Sequence, residues 1–143
     1  MDRNLTTLAG SVLDVIPSVM RIIRREVRNE AHELTVPQMR ILAHVDRGIA
    51  TAGELAELQG VSLPAISKLI DSMVKRELVE RKYRDGNRKQ IFLSLTEKGR
   101  GRFKKTRAAV QAKLRARIEK LSAKERAALR RGLASLSALL QPD

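Results

Sequence analysis

The chain has 143 residues, about one domain's worth, and 43% are hydrophobic, which is enough for a core and argues against wholesale disorder. Cysteine is absent, which excludes disulfides, thiolate metal sites and thiol redox switches, and aromatics are only 2%, so the core must be mostly Leu, Ile, Val, Ala and Met. The net charge of +13 points to an anionic partner, and it is uneven: residues 1–34 net to zero, whereas residues 98–131 hold fourteen Lys or Arg against two Glu. No signal-peptide pattern opens the chain and no 18-residue apolar run occurs, so the expectation is a cytoplasmic protein with no membrane span.

Leu5, Leu8, Val12, Ile16, Met20, Ile23, Val27, Ala31 and Leu34 recur at steps of three and four, one long helical stripe. Pro17 interrupts it. Proline suits a first turn better than a helix middle, so the helix is expected to start near Ile16 or to kink there. The patterns "TVPQ" (from Thr35), "TAGE" (from Thr51) and "SAKE" (from Ser122) fit the capping box, each before apolar residues at helical spacing. A second helix is expected over about 36–47, ending at Gly48, and a third over about 52–59, ending at Gly60. A fourth runs from its cap Ser62 to about Glu77. Val79–Arg84 and Ile91–Leu95 read as two short strands, with "DGN" as the turn and Gly86 free to take a positive φ. Thr96 caps a helix over about 97–120. A last helix covers about 123–140, with Leu129, Leu133, Leu136 and Leu140 forming a coiled-coil-like seam.

The segment Ala52 to Lys75 has the build of a helix-turn-helix. A short helix stops at Gly60, and a second starts at Ser62. Leu55, Ala56, Val61, Ile66, Leu69 and Ile70 are placed to pack the two together. Ser62, Pro64, Ala65, Ser67 and Lys68 then point outward, small or hydrogen-bonding residues that fit a major groove. An ordinary helical hairpin with a solvated face fits this segment equally well. The next segment changes the balance. Between Arg81 and Gln90 five of ten residues are basic, and the apolar run Ile91 to Leu95 follows. A basic hairpin directly after a candidate recognition helix is the layout of a winged helix-turn-helix, with Arg84, Arg88 and Lys89 at the tip for phosphate or minor groove. Thr51 and Ala52 are candidates to present a helix N-terminus to the DNA backbone.

The stretch "VSLPAISKLIDSMVKRELVERKYRDGNRKQIFLSLTEKGR", with "LTVPQMRILAHV" upstream, resembles the MarR family of bacterial transcription regulators. The resemblance covers essentially the whole chain, and its most specific pieces are "LVER" and "LTEKGR". It implies a homodimer whose first, fifth and sixth helices interlock with the partner's. It also implies a response to small, often aromatic or anionic, ligands. One departure stands in the wing, where the family's usual Asp-x-Arg is Asn87 and Lys89, so an ion pair and a guanidinium fork are missing.

The remaining constellations are weak. His32 and His44 without Cys make no convincing metal site, no Gly-rich phosphate loop is present, and no nucleophile–base pair is visible, so neither enzyme activity nor a cofactor is expected. The basic fifth helix reads first as a solvated face over Phe103, Val110, Leu114 and Ile118. Its other readings are long-range attraction for DNA, or binding to an acidic protein or anionic lipid.

The resulting expectation is a mainly α fold with a small β-hairpin wing: a winged helix-turn-helix core (35–97) between an N-terminal dimerisation helix region (1–34) and C-terminal dimerisation helices (98–143). The dimerisation candidates are Leu5, Leu8, Val12, Val110, Leu114, Leu129, Leu133, Leu136 and Leu140. The functional expectation is a sequence-specific repressor of double-stranded DNA, relieved by a small molecule. Its rivals are a nucleoid-type DNA binder and a protein-interaction module using the fifth helix.

Overall fold

In the computed structural model, which describes residues 2–29, 34–49, 51–84 and 87–141 (84 and 87–90 by backbone alone), side-chain caps set the helix starts. Thr35 and Ser122 form complete capping boxes with Gln38 and Glu125, and α2 (Val36–Asp46) and α6 (Ala123–Leu139) follow them. Thr51 accepts from the Glu54 N–H at 3.2 Å, but its hydroxyl donates to the Glu54 carboxylate, so the box before α3 (Ala52–Gln59) is half formed. Ser62 caps α4 (Leu63–Lys75) and Thr96 caps α5 (Glu97–Ile118). Gly60 ends α3 with φ of +62°, and the Val61 N–H reaches back to the Ala56 carbonyl, the Schellman arrangement. After α4 the left-handed position is held by Glu77, at φ of +60°, where glycine is the usual solution.

α1 (Arg3–Asn29) runs through Pro17, which corrects the first of the two expected alternatives, a start near Ile16. A proline there removes one N–H and leaves the Leu13 carbonyl without its helical donor. Leu13 and Pro17 are both exposed, so water can satisfy that carbonyl. By length and composition α1 is long and apolar enough to cross a membrane, because Asp14 is the only charge between residues 4 and 20. Thr, Ser and Gly dilute its apolar pattern without adding charge, so no unbroken 18-residue apolar run occurs there.

The strands β1 (Val79–Arg84) and β2 (Asn87–Leu95) pair antiparallel from Val79↔Leu95 to Tyr83↔Ile91, then jump to Arg84↔Asn87. β2 therefore starts four residues before Ile91, and its extra length is taken up by an irregularity at Tyr83/Arg84. Asp85 and the turn residue Gly86 lie outside the described residues.

The core gathers under this hairpin. Ile41, Leu42, Leu55, Ile66, Met73, Leu78 and Val79 are essentially inaccessible, and Phe103 reaches in from α5. Each such side chain contributes about 1.5–3 kcal/mol relative to exposure. Val61, expected in the α3–α4 contact, is instead 43% exposed, because the Schellman turn carries it past the crossing. The terminal helices contribute little: α6 buries no residue, and α1 buries only Glu26 and Val27. Leu5, Leu8, Leu13, Val15, Ile16, Leu129, Leu133, Leu139 and Leu140 stand exposed.

Candidate nucleic-acid interface

Ile66, Ile70 and Met73 turn α4 inward on one side, and this decides what faces out. Ser62, Pro64, Ala65 and Lys68 are exposed, and Ser67 is half-buried. The Ser62 hydroxyl accepts from the Ala65 N–H at 3.2 Å, and Pro64 occupies the first turn, where its missing N–H costs nothing. The five residues thus lie on the outward side of the first turns of α4.

The hairpin stands beside that face. Ser67 of α4 and Ala52 of α3 meet Arg81 and Ile91 of the hairpin around a hollow of about 150 Å³. The Arg81 guanidinium donates to the Asp71 carboxylate on α4, tying β1 to the candidate recognition helix. Sequence reasoning counted Arg81 only as part of a basic run, and no local spacing joins a helix residue to a strand residue ten positions on. The side chains of Arg84, Arg88 and Lys89 lie outside the described residues. Their backbones form the far end of the hairpin, opposite the Val79↔Leu95 pair. Ala52 packs partly against the core and Thr51 is occupied with Glu54, which sets an acidic group at the start of α3.

The base of the hairpin is pinned to α5. Thr96 donates to the Glu77 carbonyl, and the Thr96 N–H donates to the Leu78 carbonyl at 3.2 Å. Gly99 rests on that same carbonyl so closely that a Cβ would fall 1.9 Å from it. Among the first-turn cations, Lys98 Nζ donates to the Arg76 carbonyl at 3.0 Å, and Arg100 pairs with Asp46 at 3.2 Å.

Behind the winged core, α1, α2 and α5 enclose a cavity of about 280 Å³. Met20, Ile23, Met39 and Phe103 give it apolar walls, with Arg40 and Arg107 among its lining. Val110 and Leu114, expected at a dimer seam, line this cavity. His44 of α2 is half-buried, and its Nδ1 has no hydrogen-bond partner. Burial lowers its pKa below the usual histidine value, and Arg47 and Arg40 push the same way. His32 lies outside the described residues.

Comparison with known proteins gives a family likeness over part of the chain and a fold likeness over nearly all of it. The family model described as MarR family matches residues 32–90, from just before α2 into the first half of β2. Over this span the chain is similar to the MarR family. The MarR-type fold extends well beyond the matched span. RV1404 from Mycobacterium tuberculosis is 22% identical with a TM-score of 0.83, covering 100% of this chain and 99% of that one. A MarR family protein from Bacillus stearothermophilus is also 22% identical, with a TM-score of 0.83 and 98% of each chain covered. Wild-type MarR from E. coli, in its apo form, is 21% identical with a TM-score of 0.75, covering 90% of this chain and 96% of that one. No curated protein matches by sequence. The MarR-type core here carries Asn87 and Lys89 where the family resemblance leads one to expect Asp and Arg.

Proposed function

We propose that this chain is a homodimeric, sequence-specific DNA-binding repressor, acting on double-stranded DNA in the cytoplasm of a bacterium and released by a small molecule. The observation that carries this reading is the pairing of an outward α4 surface, free of core duties at Ser62, Pro64, Ala65 and Lys68, with a basic hairpin tied to it through Arg81 and Asp71. Small and hydrogen-bonding side chains at a helix N-terminus suit base edges, and cations at a hairpin tip suit phosphate. Dimerisation is supported by the exposed leucines of α1 and α6, whose coverage by a second copy would remove a large apolar surface from water. Release by a ligand is supported by the α1–α2–α5 cavity, which matches a small apolar molecule with one anionic group for Arg40 or Arg107.

The test separates helix from wing. Ser67→Ala or Lys68→Ala should change which sequence is preferred, since a good base contact discriminates by about 1–3 kcal/mol. Arg84→Ala should weaken all sequences more evenly. A preferred motif that survives every α4 substitution would overturn this reading.

A further inference from the structure

A second cavity, of about 370 Å³, opens where the middle of α1 crosses the C-terminal half of α5. Its lining is cationic: Arg21 and Arg25 lie one turn apart on α1, and Lys113 and Arg117 one turn apart on α5, with Ser18 and Ile22 beside them. Like charges at this helical spacing repel. One carboxylate offsets them. Glu26 is 8% exposed, and its Oε1 lies 3.9 Å from Lys113 Nζ. Arg117 donates to the Lys113 carbonyl at 3.2 Å, which lays it along α5 without neutralising it. Among the described residues, neither Arg21 nor Arg25 has a carboxylate partner.

Four cations therefore face one another across a crevice that holds a single negative charge. We propose that this crevice binds a small organic or inorganic oxyanion carrying two or more negative charges, on phosphate or carboxylate groups. The two guanidinium groups on α1 offer planar forks that match such groups bidentately. The cavity volume leaves room for more than one anionic group and falls within the range of small-ligand sites. Neither α4 nor the hairpin lines this crevice, so it is separate from the candidate DNA face, and it shares no lining residue with the α1–α2–α5 cavity.

The site is tested by calorimetric titration of the full chain with pyrophosphate, citrate and acetate at one fixed ionic strength. Pyrophosphate or citrate should bind saturably, and acetate should not. Preference between the first two identifies phosphate or carboxylate as the natural group. Arg21→Gln with Arg25→Gln should weaken binding about tenfold or more, since charge-assisted hydrogen bonds are lost. Arg130→Gln with Arg131→Gln, an equal charge change on α6, should leave it unchanged. Glu26→Gln removes the carboxylate that repels a bound anion and competes with it for Lys113, and should tighten binding by about threefold or more. That gain is the opposite of what a merely structural Glu26 would give. Absent saturable binding, equal losses in the two double variants, or weaker binding after Glu26→Gln would each overturn the proposal.

Discussion

Among the described glycines, Gly99 is where an added methyl should do the most damage. Gly99 is buried in the first turn of α5, and an added Cβ would lie 1.9 Å from the Leu78 carbonyl oxygen and 2.9 Å from its carbon. The obstacle is backbone, so no side-chain rotation relieves it, and α5 and Leu78 must part by more than 1 Å to reach even the tightest contacts found. Leu78 cannot yield cheaply. Its side chain is 1% exposed, its N–H donates to Met73 at 2.9 Å, and its carbonyl accepts from Thr96 at 3.2 Å. Overpacking typically costs about 1–3 kcal/mol, and the rigid obstacle places this case at the upper end. Weakening the Thr96 bond adds about 1 kcal/mol, while alanine's helix preference over glycine returns about 1 kcal/mol. The net loss is about 3 kcal/mol, a fall in Tm of roughly 10 °C for a chain of this size. Thermal unfolding followed by circular dichroism at matched protein concentration measures it. Gly101→Ala is the internal control, since nothing lies within 4 Å of a Cβ there, and it should be neutral or stabilising by up to about 1 kcal/mol. If Gly99→Ala were as stable as the parent, the close approach of α5 to Leu78 would be wrong, and with it the account of how the wing is held.

The other predictions concern separate elements. Glu77→Gly should stabilise the chain by about 1 kcal/mol in urea unfolding, because it relieves a left-handed position held by a non-glycine residue. Leu133→Asp with Leu136→Asp should dissociate or unfold the proposed dimer, because unpaired charge in an apolar contact is costly, and sedimentation showing a folded wild-type monomer at micromolar concentration would defeat the idea. His44 has a folded pKa below its unfolded value of about 6.5, so the folded state binds fewer protons. Its contribution to stability is complete above that unfolded value and is lost as pH falls through the depressed folded pKa. In His44→Gln, stability should depend less on pH across that window. Replacing Arg115, Lys120 and Lys124 with Gln should slow DNA association at low salt, yet leave the slope of log affinity against log salt almost unchanged, because a phosphate contact would add about 0.9 each.

Local chemistry made much of this fold legible. Thr35, Ser62, Thr96 and Ser122 start helices where their hydroxyls predict it, and Gly48 and Gly60 stop them with positive φ. Those signals act within four residues, so a single sequence carries them. What it hid is non-local. The Gly99–Leu78 approach joins residues 21 positions apart. A glycine in a helix's first turn is a signal of close backbone approach and could have been read so. The Asp71–Arg81 tie and the Glu26–Lys113 pair likewise depend on packing. Glu26 did leave a trace, since it stands next to Val27 at the inward edge of the apolar stripe of α1. Pro17 misled because propensity argues against a mid-helix proline while solvent exposure tolerates one.

The central claim is that the outward face of α4 and the adjoining hairpin read a defined DNA sequence as a two-fold pair. The most direct measurement is selection of bound fragments from random double-stranded DNA with the full chain at near-physiological salt. The account predicts an inverted-repeat motif with half-sites about one helical turn apart, whose sequence changes on Ser67→Ala or Lys68→Ala. Enrichment of no motif, with affinity falling steeply with salt for all fragments alike, would contradict it and identify a nucleoid-type binder driven by the charge of α5.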